Sequence, residues 1–301
     1  MNITHCLRLA RNCRRQMAHA CFLFLCISSG ASADNARDWM NLPKDLNIIF
    51  GYYAPMNVDA PGVNIDADTF LFRYGYTFSI AGRTSAIQIV QPYTRLSATP
   101  DNARFPGSFI NENPGDTQIV FAHNIFGGPS LSKSEFRKWT PGPFLTGAFW
   151  LTVPDGQYDS NKIFNSGANR WVFKPELASG YPIGPVWLEL NTWAMFYTDN
   201  DDYSGNNTLS QRPSYAAEGH VSYTLSPELW ISLDSSWAGG GETKINGVVQ
   251  DDRNNNIMLG TSIGFQLSPQ FGGMVAYSNI VEHREYSADV DGWTFRLQYA
   301  W

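Results

Sequence analysis

The sequence lacks cysteine over most of its length. The chain has 301 residues and four cysteines, and all four lie at positions 6, 13, 21 and 26. From residue 34 onward the sequence therefore excludes a disulfide framework, a catalytic thiol and a cysteine-ligated metal. It also contains no later run of about 20 apolar residues, the length with which a helix crosses a bilayer.

Basic residues are scarce as well. Four of the 21 Lys and Arg residues lie within the first 15 positions, whereas all 27 Asp and Glu residues follow position 33. Residues 34–301 therefore carry 17 basic and 27 acidic residues, a formal net charge of −10 (17 − 27). Because phosphate binding needs a basic face, nucleic acid is not expected as a partner.

The first 33 residues have the order of a secretory signal peptide. Four arginines precede a short apolar run at residues 21–27, and the tripeptide ASA lies directly before Asp34. This order predicts export and cleavage before Asp34, which leaves residues 34–301 as a single domain. The apolar run is too short for a membrane anchor. Whether translation starts at Met1 or at Met17 stays open.

Aromatic residues are abundant, at 14% of the chain, and glycine is frequent. Turn signals divide the remaining sequence into twelve segments of alternating character, whose length suits tilted membrane strands of about 9–11 residues. The predicted strands cover residues 45–54, 67–78, 84–96, 115–126, 142–153, 169–181, 185–198, 211–225, 228–239, 254–267, 271–282 and 291–301.

The links between these strands alternate in length. Tight links such as 182–184 and 226–227 follow even-numbered strands, and long polar loops such as 101–114, 199–208 and 239–256 follow odd-numbered strands. Short turns on one rim and long loops on the other are typical of outer-membrane barrels. One link is exceptional, because GGPSLSKSEFRKWTPG is long yet lies on the short-turn rim, where SLSKSEFRKW predicts a helical turn.

Several strands have one apolar and one polar face. In the second predicted strand, Phe70 and Phe72 alternate with Thr69 and Arg73. A soluble sandwich would bury the apolar face, whereas a membrane barrel turns it towards lipid. Charges in the middle of polar faces and aromatics near strand ends favour the barrel. We therefore expect an all-β, transmembrane, antiparallel up-and-down β-barrel of about 12 strands, closed because no open edge is tolerated in hydrocarbon.

The sequence ends with a ladder of aromatics, GWTFRLQYAW. Its strict alternation predicts a last strand that pairs with the first strand and faces lipid with its aromatic residues. A terminal aromatic resembles the signal that outer-membrane barrels present to their assembly machinery. Tyr299 and Trp301 are therefore the expected assembly signal.

Ionisable residues on the polar faces are candidates for the lumen. Two interpretations stay open: a polar conduit, or an interior filled by salt bridges and entered by residues 34–44. Eight strands give a filled interior and 16–18 an aqueous channel, so twelve predict a narrow or gated path. The lumen candidates are Arg73, Lys174, Glu176, Glu189, Glu218, His220, Asp234 and Arg296.

The third long loop begins with PDGQYD and continues to NRW. If it folds into the barrel mouth, Asp159 and Arg170 would set the local field of a constriction, since charged loops tune pore selectivity. The alternative is a network of β-turns in which Asn, Asp and Gly satisfy their own backbone.

Several motifs carry a family resemblance. They include ARDW (36–39), GDTQIVFAHNIFGGPSLSKSEF (115–136), LTVPDGQYDSNKIFNSGANRWVFKPELASG (151–180) and the final RLQYAW. The chain resembles the family of outer-membrane "transporter" proteins named after the MetA pathway of phenol degradation. This resemblance implies an outer-membrane β-barrel that moves small, often aromatic or hydrophobic, molecules such as phenols.

The expected function is therefore passage of small molecules through the outer membrane of a Gram-negative bacterium. The expected partners are the lipid bilayer, lipopolysaccharide, the assembly machinery and the solute; the oligomeric state stays open. A non-conducting structural or adhesin-like barrel is the alternative. A lipase is a less favoured alternative, which is considered because His220 and Ser222 resemble the His-x-Ser pair of outer-membrane phospholipases. Their inward placement beside Glu218 argues against an enzyme, and no cofactor or metal is expected.

Overall fold

A computed structural model describes residues 34–60, 62–100, 109–162, 164–284 and 287–301. The predicted signal peptide, residues 1–33, and residues 101–108 of the first predicted long loop lie outside the described residues. Within this part of the chain, no helix is both long and apolar enough to cross a membrane.

The described residues form seventeen strands and one short helix. The strands are β1 (Asn47–Ala60), β2 (Val63–Ile80), β3 (Arg83–Pro100), β4 (Phe109–Pro114), β5 (Gln118–Phe126), β6 (Phe144–Thr152), β7 (Val172–Ile183), β8 (Val186–Tyr197), β9 (Asn200–Tyr203), β10 (Asn207–Gln211), β11 (Ser214–Ser226), β12 (Leu229–Gly240), β13 (Thr243–Ile245), β14 (Val248–Val249), β15 (Asn254–Gln266), β16 (Phe271–Glu282) and β17 (Asp289–Ala300); the helix is α1 (Lys133–Phe136).

Twelve of these strands close into an antiparallel barrel. Around the barrel the order is β1, β2, β3, β5, β6, β7, β8, β11, β12, β15, β16 and β17. The first and last strands pair from Ile48 opposite Ala300 to Asp59 opposite Asp289. The predicted twelve-stranded closed barrel is confirmed, and closure leaves no edge strand unpaired within the wall.

The first three barrel strands run beyond their predicted ends. The structure extends β1 to Ala60, begins β2 at Val63 and extends β3 to Pro100. The alternation of apolar and polar residues continues there. Apolar residues occupy one face of the strands, and the Asn and Asp residues that indicate a loop in the sequence occupy the other. Those apolar residues form a buried cluster in which Val58, Ile65, Leu96 and Ala98 pack with Phe164 and Ala288.

Two segments predicted as long loops contain short strands. A four-stranded sheet in the order β14, β13, β10 and β9 lies outside the barrel sheet. Its central pairing places Leu209 opposite Ile245, so the loops 199–208 and 239–256 are hydrogen-bonded to each other. The sequence prediction missed this sheet because its strands are only two to five residues long and lie within polar loops.

The short-turn rim has the backbone geometry that tight hairpins require. Ala81 and Gly82, between β2 and β3, have φ angles of 49° and 75°. Two consecutive positive φ angles match the twist of the flanking strands. The exceptional long link contains α1, where the Ser132 side chain and Glu135 form a capping box. The predicted helical turn is confirmed.

Apolar side chains cover the outside of the barrel. Phe72 is 55% exposed and Leu233 70% exposed, whereas the intervening residues of the same strands face inward. On β17, Phe295 and Tyr299 are exposed and Arg296 is buried. A continuous exposed apolar surface of this extent is foreign to soluble monomers and is the lipid-contacting surface of a membrane barrel.

Candidate functional site

The segment before β1 lies inside the barrel. We call residues 34–46 the plug. Asp34 and Trp39 are 8% and 7% exposed, and Ala36 is fully buried. Trp39 packs in an apolar cluster that includes Phe144, Trp150 and residues of several other strands. The barrel interior is therefore filled in part by the chain's own N-terminal segment.

Arg37 fixes the plug to the strands β8 and β11. Its backbone N–H donates to both carboxylate oxygens of Glu189, at 3.1 and 3.0 Å. Its guanidinium donates to Ser222 Oγ at 2.9 Å and to Thr224 Oγ1 at 2.8 Å. The φ angle of 69° places Arg37 in the left-handed region, which costs a non-glycine residue about 1–2 kcal/mol. The four hydrogen bonds offset this strain.

Three further contacts hold the plug to the rest of the barrel. Asp38 forms a buried ion pair with Arg296 of β17. Asn41 Nδ2 donates to the Pro129 carbonyl at 2.9 Å, and the Lys44 N–H donates to the Leu131 carbonyl at 2.8 Å. The exceptional link 127–142 therefore supports the base of the plug, which explains why it is longer than the other turns of its rim.

A buried ion pair lies at the inner end of the plug. Lys174 Nζ is 3.0 Å from Glu176 Oε2, and both side chains are almost fully buried. The two residues share a face because they are two apart on β7. Trp150 Nε1 donates to the same Glu176 oxygen at 2.9 Å. Lys174 Nζ also lies 4.6 Å from the ring centre of Trp150 and 5.0 Å from that of Trp193, so its charge is stabilised by rings as well.

Glu218 connects this ion pair to the start of the plug. Its Oε2 accepts the Asp34 N–H at 3.1 Å, and its Oε1 accepts Trp193 Nε1 at 3.2 Å. Asp34 also lies where the charges of Lys174 and Arg73 act on its carboxylate. We call Asp34, Lys174, Glu176 and Glu218 the inner cluster.

A second polar group lies across β11, β12 and β15. His220 Nδ1 is 2.7 Å from Asp234 Oδ1. The remaining Asp234 contacts are the hydroxyls of Ser232 and Ser262, which donate at 2.7 and 2.8 Å. Ser222, on the same strand as His220, is fully buried. This group satisfies an inward-facing carboxylate with one imidazole and two hydroxyls.

A cavity of about 300 Å³ remains between the plug and the short-turn end of the wall. We call it the vestibule. Its lining combines guanidinium groups with aromatic rings: Arg73 lies 5.4 Å from the ring centre of Phe50, and Arg37 lies 5.0 Å from that of Trp230. Phe265 and Arg296 complete this part of the lining. The space suits a small molecule that presents an apolar or aromatic body.

The third long loop is held over the opposite end of the barrel by Asp116. Its oxygens accept the N–H of Gly156 at 2.9 Å and that of Ala168 at 2.8 Å. Burial raises the pKa of the Asp116 carboxyl to about 6, against the opposing effects of these hydrogen bonds and of the Arg170 charge. A Cβ atom on Gly156 would lie 2.7 Å from the Asp116 N and Oδ1. Only glycine therefore permits this approach.

The two predicted loop residues occupy different surroundings. Asp159 lies within a turn, where its Oδ1 accepts the Asn161 N–H at 2.9 Å and its own N–H donates to Asn165 Oδ1 at 2.8 Å. Local hydrogen bonds lower the pKa of Asp159. Arg170 is buried, donates to Gln211 Oε1 and lies 4.6 Å from the ring centre of Tyr197.

All of the predicted lumen residues point inward. The structure brings Lys174, Glu176 and Glu218 together, pairs His220 with Asp234, and places Glu189 and Arg296 against the plug. Arg73 is half-buried at the vestibule, where it donates to Gln88 Oε1. Sequence reasoning missed Asp34, Arg37 and Asp38 as contributors. The motif ARDW at residues 36–39 was the available signal, but it has no periodicity from which a position could be predicted.

Comparisons with known proteins agree with this architecture. The family described as "Putative MetA-pathway of phenol degradation" matches residues 47–288. Among curated proteins, none matches the sequence. An outer membrane channel from Pseudomonas putida F1 is similar in structure over 89% of this chain and 100% of its own, with 19% sequence identity and a TM-score of 0.78.

Two autotransporter barrels are similar at lower scores. The transport unit of AIDA-I from Escherichia coli has 8% identity, covers 94% of this chain and 98% of its own, and has a TM-score of 0.54. The β domain of BrkA from Bordetella has 11% identity, 85% and 100% coverage, and a TM-score of 0.53. At such identities these structures show a shared outer-membrane barrel fold. Because the family match extends over most of its length, the chain belongs to the family described as "Putative MetA-pathway of phenol degradation".

Proposed function

We propose that this barrel is an outer-membrane channel for small molecules with an apolar or aromatic body, such as phenols. The vestibule carries the proposal. It is a cavity of about 300 Å³ in which Phe50, Trp230 and Phe265 offer rings beside the guanidinium groups of Arg37, Arg73 and Arg296. Pockets that combine apolar walls with few polar groups suit small organic ligands.

The family description and the similar solved structures support the same proposal. The family is named for phenol degradation, and the barrel from Pseudomonas putida F1 is described as a channel. The plug fills part of the lumen, so the path is narrow. A wide aqueous pore, as in barrels of 16–18 strands, does not fit twelve strands around a filled interior.

Reconstitution tests the proposal. Liposomes that contain the purified barrel should take up phenol faster than a sugar of similar size, and planar bilayers should show small ion conductance. Absence of conductance together with equal fluxes for liposomes with and without the protein would refute a channel.

A pair of substitutions on neighbouring positions locates the path. Phe50→Ala removes a ring from the vestibule, and Phe72→Ala removes a ring from the lipid face of the adjacent strand, where it is 55% exposed. We expect Phe50→Ala to lower the ratio of phenol to sugar flux several-fold and Phe72→Ala to leave it unchanged. Equal effects of both substitutions would remove the vestibule from the path.

We also propose that the protein is not an enzyme. Ser222 Oγ, fully buried, accepts a hydrogen bond from Arg37 Nε, and His220 Nδ1 contacts Asp234 rather than the serine. A nucleophilic serine needs a base within hydrogen-bond reach. Ser222→Ala should therefore leave solute flux intact, and a lipase activity that this substitution abolishes would contradict the proposal.

Export by the signal peptide and insertion beside lipopolysaccharide complete the proposal. Tyr299 and Trp301 stack at 5.9 Å on the lipid face, and Trp301 exchanges backbone hydrogen bonds with Asn47 of 2.9 and 3.1 Å. An aromatic pair at the seam of the barrel supports recognition by the assembly machinery. Trp301→Asp should lower the amount of folded barrel in the outer membrane, and wild-type amounts would count against this role.

A further inference from the structure

The inner cluster contains more negative than positive charge. Three carboxylates, those of Asp34, Glu176 and Glu218, lie in contact or within electrostatic reach of two cations, Lys174 and Arg73. The other lumen carboxylates have partners of their own: Asp38 pairs with Arg296, Asp234 with His220, and Glu189 accepts the Arg37 N–H. When all three carboxyl groups are ionised, one of them therefore lacks a counter-charge.

Hydrogen bonding in the inner cluster is incomplete in the same place. Within the described part of the chain, Asp34 Oδ2 and Glu176 Oε1 are buried and receive no hydrogen bond from an N–H or hydroxyl donor, and the two carboxyl groups lie in contact with each other. A buried acceptor without a donor is destabilising, and more so when it is charged. Two buried carboxyl groups in contact need either a shared proton or one more cation beside them, and a cation with several N–H donors is one that this cluster can hold.

The Asp34 nitrogen is the atom in position to supply that cation. It lies 3.1 Å from Glu218 Oε2, in a residue that is only 8% exposed. The sequence independently predicts cleavage directly before Asp34, after the tripeptide ASA. Cleavage would convert a peptide N–H, with one donor and no charge, into an α-ammonium with three donors and one positive charge. An α-amino group ordinarily has a pKa of about 7.7–8.0, so it is largely protonated at neutral pH.

We propose that the inner cluster is a binding site for the α-ammonium that processing creates at Asp34. One of its N–H groups binds Glu218, and its charge adds to those of Lys174 and Arg73 beside the three carboxyl groups. The cluster then holds three cations and three carboxylates. The mature N-terminus is thereby anchored inside the lumen, through a charge that exists only after the signal peptide has been removed.

Amine labelling of the folded protein tests the site. The protein is isolated from outer membranes and its amines are reductively methylated with formaldehyde and cyanoborohydride while it is folded. It is then digested, and the peptides are analysed by mass spectrometry. We expect the mature chain to begin with Asp34 and its α-amine to be labelled at least about tenfold more slowly than in the denatured chain. A mature chain that begins elsewhere, or a folded α-amine labelled as fast as the denatured one, would overturn the proposal.

Substitutions identify the partner of the α-ammonium. Glu218→Gln should raise the labelling rate of the folded α-amine several-fold, whereas Glu282→Gln, at an exposed position on β16, should not. If Glu218→Gln fails to fold, one extra alanine retained before Asp34 gives a second test with Glu218 intact. That displaced amine should react several-fold faster; an unchanged rate would contradict the assignment, as would an unchanged rate in Glu218→Gln.

Discussion

The plug and the long loop above it are stabilised in different ways. Buried charged groups surround the plug: Asp38 pairs with Arg296, Glu189 accepts the Arg37 N–H, and the Lys174–Glu176 pair of β7 lies at the inner end. At the long-loop end, a cluster of small apolar residues around Ile65 and Leu96 is covered by a loop whose turns satisfy their own backbone. One carboxylate, Asp116, organises that cover.

This difference has an energetic meaning. Buried ion pairs add little net stability, but they penalise any arrangement in which a charge loses its partner. The plug end is thus specific about where each residue lies. Apolar burial at the loop end is proportional to area and much less directional. The loop end therefore tolerates more variation than the plug end.

Substitution of Lys174 should cause the largest loss of stability and so gives the strongest test of this difference. Lys174→Ala leaves Glu176 buried without its cation, which costs about 3–5 kcal/mol of unfolding free energy. Arg212→Ala is the matched control at the loop end, where the Arg212–Glu242 pair spans 2.8 Å but Arg212 is 61% exposed. An exposed pair contributes at most about 1 kcal/mol. Urea unfolding in detergent measures both, and equal losses would show that the two ends do not differ.

The pH dependence of the long loop comes next. Asp116 has a pKa of about 6 in the folded loop against an ordinary 3.8, so the folded loop binds its proton more tightly than the open loop does. The loop is therefore most stable below about pH 4 and loses stability as the pH rises through 6, by about 3 kcal/mol. Hydrogen exchange at the Gly156 and Ala168 amides, corrected for intrinsic rates, measures this. Asp116→Asn should abolish the dependence; its persistence would assign it to another group.

A substitution at Gly156 tests how closely the third long loop packs against Asp116. Gly156→Ala places a Cβ atom 2.7 Å from the backbone of Asp116, and overpacking of this kind costs about 1–3 kcal/mol. Gly142→Ala is the control, because nothing lies within 4 Å of its Cβ position. Protease cleavage of the loop should accelerate in Gly156→Ala alone. If both variants resist cleavage equally, the loop is less closely packed than its contacts indicate.

The smallest expected effect concerns the base of the plug. Asn41→Ala removes the 2.9 Å hydrogen bond to the Pro129 carbonyl, worth about 1 kcal/mol. Asn161→Ala removes an exposed side-chain bond to Asp159 and should cost less. Proteolysis of the link 127–142 reports the loss, and it should rise only in Asn41→Ala. No change would mean that Lys44 and the remaining contacts hold the link alone.

The sequence predicted the wall of the barrel much better than its contents. Alternation on β12 and β17 follows from local residues, since Leu233 and Phe295 must face lipid while Asp234 and Arg296 must not. The inward direction of the charged residues follows from the same rule. The partners of these residues do not follow from it, because the face of a strand gives the direction of a side chain but not which other side chains it meets inside the barrel. Alternation also continues into the extended hairpins, where Asn and Asp residues indicate loops.

Entry of residues 34–44 into the lumen was one of the two interpretations that the sequence left open, but the contacts of the plug could not be predicted from local signals. Its contacts join residues that are far apart in the chain, such as Asp38 and Arg296, separated by 258 positions. No periodicity of residues 34–46 encodes such a pairing. Asp116 was missed for the same reason: its partners, Gly156 and Ala168, lie 40 and 52 positions away.

The pairing of Asp38 with Arg296 has a consequence for the order of assembly. Asp38 precedes β1, and Arg296 lies on β17, the strand that pairs with β1 to close the wall. The ion pair therefore bridges the same seam from the inside that the backbone bridges within the wall. The plug cannot reach its final position until the last strand has docked, because contacts of such long sequence separation form late. Insertion of the plug into the lumen therefore requires that β17 has already paired with β1.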